Sequence, residues 1–164
     1  MRKDLEWEYA DREVSENEVE ESGRQLGFHL PKDYIDCVKI NGGASVLPEE
    51  FNVGNVERCF GSLFSFDKKS SEYIVQKYEL YKPMLPQKVF PIANDPAGNL
   101  ICLDYKNNID NPIVVFWEHE NAPEKEVLME EKGLTEEQVE ERARSNVFYI
   151  ADTFTDFLSK LQHD

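Results

Sequence analysis

The stretch Leu30-Pro31-Lys32-Asp33-Tyr34-Ile35-Asp36-Cys37-Val38-Lys39-Ile40-Asn41-Gly42-Gly43 constrains this fold more than any other segment of the chain. Pro31 suits the first turn of a helix, because its missing N–H has no intrahelical partner there and its φ is already helical. Tyr34, Ile35, Cys37 and Val38 then recur at helical spacing, so one side of the helix must face a core. Asn41-Gly42-Gly43 ends it, since these residues accept the left-handed conformation that closes a helix. Any fold for this chain must seat a short helix with a sharp exit on an apolar layer.

Elements on either side follow from the same rules. Ser15-Glu16-Asn17-Glu18 matches a capping box, with Val14 as its apolar staple. The helix it opens carries Val19, Gly23 and Leu26 on one stripe and Glu13, Glu16, Glu18, Glu20 and Glu21 outside it. Residues 44–66 read as irregular chain with short strands, over 51–56 and 61–66. Ser70 to Tyr73 opens a helix to about Lys82, and Pro83 and Pro86 stop it. Residues 89–93, 100–105 and 113–117 read as strands of an antiparallel meander. Their near-continuous apolar character requires cover on at least one face, and cover on both also fits. Between Glu118 and Glu141 ten Glu stand against two Lys, so most of that segment belongs in solvent, with a helix start at Thr135-Glu136-Glu137-Gln138. Val147 to Ala151 reads as an apolar lead-in. Asp152 or Thr153 then caps a last helix whose Phe154, Phe157, Leu158 and Leu161 dock on the core.

Composition enters through charge. A net charge of −15 over 164 residues repels nucleic acid phosphates and anionic lipid, and favours a basic partner. Solubility alone is the plainer use of such acidity. No apolar run is long enough to cross a bilayer. Residues 1–7 lack the apolar core of a signal peptide, so a cytoplasmic location is expected. Cys37, Cys59 and Cys102 are an odd number without metal-ligand spacing, which argues against a disulfide framework or a metal site.

No catalytic signature is present. The chain has no Gly-x-Ser-x-Gly, no phosphate-cradling glycine loop, no His-Glu-x-x-His and no Cys/His cluster, so no catalytic residue, cofactor or metal is assigned. Trp117-Glu118-His119-Glu120 holds a base and metal-ligating groups, but a strand running into an acidic loop explains it more simply. Asp95, Asp104 and Asp110, with their neighbouring Asn residues, lack the spacing of a calcium loop and suit turns instead.

The ordered pieces carry a resemblance. These are Trp7, the helix over 19–26, Leu30-Pro31, Asn41-Gly42-Gly43, Gly61-Ser62-Leu63-Phe64, Pro91-Ile92-Ala93-Asn94-Asp95, Gly98 to Asp104, Val115 to Glu120 and Ile150 to Leu158. In that order they resemble the SUKH superfamily, the Smi/Knr-like immunity proteins. The resemblance spans nearly the whole chain and implies one domain over 1–164 with an α+β fold. A central, largely antiparallel (mixed), curled sheet would be flanked by helices, with an N-terminal helix pair and a C-terminal helix. It also implies a non-catalytic protein that neutralises a cognate secreted toxin, a nuclease domain with a basic surface, rather than nucleic acid or a membrane. The alternative is a regulatory adaptor of the fungal Smi/Knr type, and a hydrolase on the acidic loops would need a deep pocket with two carboxylates. For the toxin contact, Phe66, Tyr105 and Trp117 are the candidate anchors, beside Asp67, Asp95, Asp104 and Glu118. A core position is the competing reading for each.

Overall fold

Residues 2–163 are described by the computed structural model. A short strand, β1 (Glu6–Glu8), precedes two helices, α1 (Glu16–Gln25) and α2 (Lys32–Asn41). The capping box forms in both directions: the Ser15 hydroxyl accepts from the Glu18 N–H, and the Glu18 carboxylate accepts from the Ser15 N–H. Val14, Val19 and Gly23 are buried. A Cβ at Gly23 would lie 2.8 Å from the Leu30 side chain, so glycine lets Leu30 close on the helix. Pro31 sits one position ahead of the helix, with extended ψ, as its N-cap. The four predicted apolar residues of α2 are all buried. Gly43, at φ +83°, turns the chain so that its N–H donates to the Leu63 carbonyl at 2.7 Å.

The middle of the chain is more regular than its sequence suggests. β2 (Ser45–Leu47) pairs antiparallel with β1, and β3 (Glu50–Val53) forms a hairpin with β4 (Val56–Cys59) around Gly54. After α3 (Ile74–Tyr81) come β5 (Val89–Asn94), β6 (Leu100–Asp104) and β7 (Ile113–Trp117), the expected meander. α4 (Lys125–Lys132) and α5 (Glu136–Arg144) follow, then β8 (Val147–Ala151) and α6 (Phe154–Ser159). β8 is a strand rather than a lead-in. It adds to β7 and completes an open four-stranded sheet of order β5-β6-β7-β8. Every strand pairing is antiparallel, and the parallel component of the expected mixed sheet reduces to a bridge between Ser65 and Tyr73. The architecture is α+β, as expected, with the N-terminal helix pair and the C-terminal helix in place.

Both faces of the sheet are covered. Phe116 and Trp117 are neighbours on β7 and therefore point to opposite sides. Phe116 meets Phe51 of β3 at 6.3 Å, and Phe51 meets Phe157 of α6 at 5.3 Å. Trp117 meets Tyr81 of α3 at 6.0 Å. Such rings each contribute roughly 1.5–3 kcal/mol by leaving water, which explains strands that read as apolar runs. α2 and α6 are locked together: Asp33 accepts from the Thr155 N–H at 2.9 Å and hydroxyl at 2.8 Å, and Tyr34 packs on Phe154.

Candidate partner-binding surface

The residues singled out from the sequence fall into three places. Phe66 and Asp67 lie beside α1. Phe66 is buried against Tyr34 and forms the floor of a shallow groove of about 160 Å³ with Glu18, Glu21 and Lys68. Asp67 accepts from the Lys69 N–H at 3.1 Å and lies 3.6 Å from Arg12. Asp104 and Tyr105 lie at one end of β6, and Asp95, Trp117 and Glu118 at the other. Five residues of strand separate those ends by about 13 Å. Six of the seven are buried; Glu118 is the partly exposed one.

Each burial has a cause. Asp95 Oδ1 accepts from the N–H groups of Ala97 and Asn99, at 2.9 and 2.7 Å, so it builds the turn between β5 and β6. The Tyr105 hydroxyl donates to the His29 carbonyl at 2.8 Å, its ring packs tilted against Phe28, and burial pushes its hydroxyl pKa up. Trp117 is enclosed by β6, β8 and α3. The covered sheet thus claims Trp117 and Tyr105, α2 claims Phe66 through Tyr34, and turns and ion pairs claim the aspartates.

What remains exposed is a polar ledge at the β7 end of the sheet. Glu118 accepts from Arg58 at 2.6 Å, and the Arg58 guanidinium lies 4.8 Å over the Phe116 ring. Asn99, itself buried, accepts from the His119 N–H at 3.0 Å and contacts His119 Nδ1 at 2.8 Å through the same Oδ1. Its amide donates to Asp95 at 3.0 Å. The ring of His119 is therefore held in one orientation. Arg58, Asn99, Glu118, His119 and Glu120 surround a cleft of only about 120 Å³.

Beyond the ledge, the acidic segment is ordered rather than trailing. Thr135 and Gln138 form a second capping box, and Gly133 closes α4 at φ +65°. Leu128, Val139 and Ala143 are buried beneath the helix pair. Arg144 fastens the pair to the sheet, donating to Asp104 at 2.6 Å, to the Gln87 carbonyl at 2.7 Å and to Glu140 at 3.3 Å. Glu140 in turn accepts from the Gln87 N–H at 2.8 Å. Glu120, Glu124, Glu126, Glu130, Glu131, Glu136, Glu137 and Glu141 all remain exposed. Sequence reasoning missed Arg144; its signal was a cation four residues after Glu140 in a stretch otherwise short of them.

A groove of about 480 Å³ is lined by Asn52, Gly54, Tyr149, Ile150 and residues 159–162, with no carboxylate among them. Among the described residues, no group of three His, Cys, Asp or Glu is placed to hold a metal ion, and no helix is long and apolar enough to cross a membrane.

An α+β core with a fixed acidic surface is the frame in which the comparisons with known proteins fall. The model of the SMI1 / KNR4 family (SUKH-1) matches residues 13–160, and the chain belongs to that family. It is also similar to the SPbeta prophage-derived uncharacterized protein YokK of Bacillus subtilis (strain 168). The two are 26% identical over 137 residues, covering 71% of this chain and 69% of that protein.

Proposed function

We propose that this chain is a bacterial immunity protein that binds a cognate secreted toxin and blocks its active site without catalysing a reaction. Membership of the SMI1 / KNR4 (SUKH-1) family is the observation that carries this reading. The similarity to a prophage-derived protein is consistent with a gene that travels with competitive functions. The toxin would be a nuclease domain, whose basic substrate-binding face matches a net charge of −15. It would be met in the cytoplasm by the ordered glutamates of α4 and α5 and the ledge formed by Glu118 and His119. Of the candidate contacts, Glu118 reaches a partner directly, whereas Phe66, Asp67, Asp95, Asp104, Tyr105 and Trp117 would hold the surface behind it.

The test is co-expression with the toxin encoded beside this gene. Cells carrying both are expected to grow, and the two proteins to co-purify at equal stoichiometry. Growth arrest despite normal expression of the folded protein would overturn the immunity assignment.

A further inference from the structure

The two edges of the four-stranded sheet are treated differently. On the β5 side, residues 61–64 run alongside: the Phe64 N–H donates to the Ile92 carbonyl at 2.8 Å, and the Asn94 N–H to the Ser62 carbonyl at 3.1 Å. β8, at the other edge, has no strand beyond it among the described residues. Its register fixes which groups are free. Trp117 lies opposite Val147, and the Glu118 N–H donates to the Asn146 carbonyl at 3.0 Å. That places Phe148 in the hydrogen-bonded pair with Phe116, and turns the N–H and C=O of Val147 and Tyr149 away from β7.

The open edge is also apolar. In a chain with 31% charged residues, Val147 to Ala151 carries none. Phe148 and Tyr149 are 40% and 53% exposed, and as consecutive strand residues they differ in direction. Edge strands are ordinarily guarded by charge. Here the guard is Lys160, whose ammonium donates to the Ile150 carbonyl at 2.5 Å and lies 5.5 Å from the centre of the Tyr149 ring, while the Tyr149 hydroxyl donates to Asp152 at 2.7 Å. The outward backbone of residues 147–149 stays open. Beside Tyr149, the β3–β4 hairpin and residues 159–162 leave a groove of about 480 Å³ unfilled.

We propose that β8 pairs with β8 of a second copy of this chain, antiparallel about a two-fold axis at Phe148. The register supplies its own complement. Val147 and Tyr149 of one copy exchange hydrogen bonds with Tyr149 and Val147 of the other, and the two Phe148 rings meet at the axis. The residues that flank the strand are of mixed sign: exposed Glu141 and Arg142 precede it, and exposed Asp152, Asp156 and Lys160 follow it, so antiparallel pairing sets no block of like charge against another at the strand itself. A neutral strand fits a copy of itself better than it fits a basic protein, which the glutamates elsewhere would attract. The contact is shorter than the roughly 800 Å² per partner of stable complexes, and each copy carries −15. The dimer is therefore weak, and salt strengthens it by screening the repulsion.

Sedimentation equilibrium of the full chain reads this directly, from about 10 µM to about 1 mM protein, a range that brackets a weak complex. The mean mass is expected to rise from one chain toward two, more so at high salt. Phe148→Asp is expected to hold the mass at one chain with unchanged far-UV circular dichroism. Tyr149→Pro is expected to do the same, since proline is tolerated where the edge N–H faces outward and here removes the donor to the second copy. A single-chain mass at every concentration and salt would overturn the proposal, as would a dimer that survives both variants. The opposite salt dependences separate this test from that of the toxin complex, which salt should weaken.

Discussion

Cys37 shows how far a single buried group reaches. It lies inside α2 against the core, and burial pushes its thiol pKa up from the ordinary 9.0 to about 12. Cys102 and Tyr34 are pushed up by burial as well. A raised folded-state pKa means the folded chain holds the proton more tightly than the unfolded chain does. The stability this represents is complete below the unfolded pKa and is lost as pH climbs through the folded one. Urea unfolding is therefore expected to show stability falling above about pH 9, by about 2–3 kcal/mol from Cys37 alone at about pH 11. Cys37→Ala should recover that portion, and a profile flat through this range in both proteins would refute the assignment. The Leu-Pro segment announced this residue as buried from its spacing alone. The aspartates were less transparent, because Asp95 and Asp104 look the same in sequence whether they serve a partner or their own turns and ion pairs.

Arg144 does for α5 what its caps alone cannot. The helix holds Glu136, Glu137, Glu140 and Glu141 together, and like charges one turn apart oppose its formation. The bond from Arg144 to Asp104, both sparingly exposed, docks the helix on the sheet edge. Removing the cation leaves a buried carboxylate without its partner. Arg144→Ala is expected to cost about 2–4 kcal/mol in chemical denaturation, with hydrogen exchange accelerating first in α4 and α5. Equal stability would mean that the pair merely decorates the surface. At this scale the helix starts were legible, since Ser15, Thr135 and Thr153 all cap as their spacing implies. β1, β2, β4 and β8 were not legible as strands, and the strand expected over 61–66 forms only isolated bridges at Leu63 and Ser65, because a short strand is defined by the partner it pairs with. α4 was hidden among glutamates, its apolar side reduced to Val127, Leu128 and the Gly133 stop. The covered faces of β6 and β7 likewise erase the alternation that would have shown Trp117 and Tyr105 to be interior.

Across the whole molecule, charge and shape act together. The fold fixes a sheet covered on both faces, so in the proposed function recognition would fall to its rim: the Glu118 and His119 ledge, and the glutamates of α4 and α5. A surface of this kind gains association rate by long-range attraction, which dissolved salt screens. The measurement that bears most directly on this account is the association rate of the chain with the adjacent-gene toxin, followed as ionic strength rises. The account expects a drop of about tenfold or more between about 20 mM and 500 mM salt, and a slower rate for Glu136→Lys with Glu137→Lys at low salt. A rate indifferent both to salt and to those reversals would contradict it.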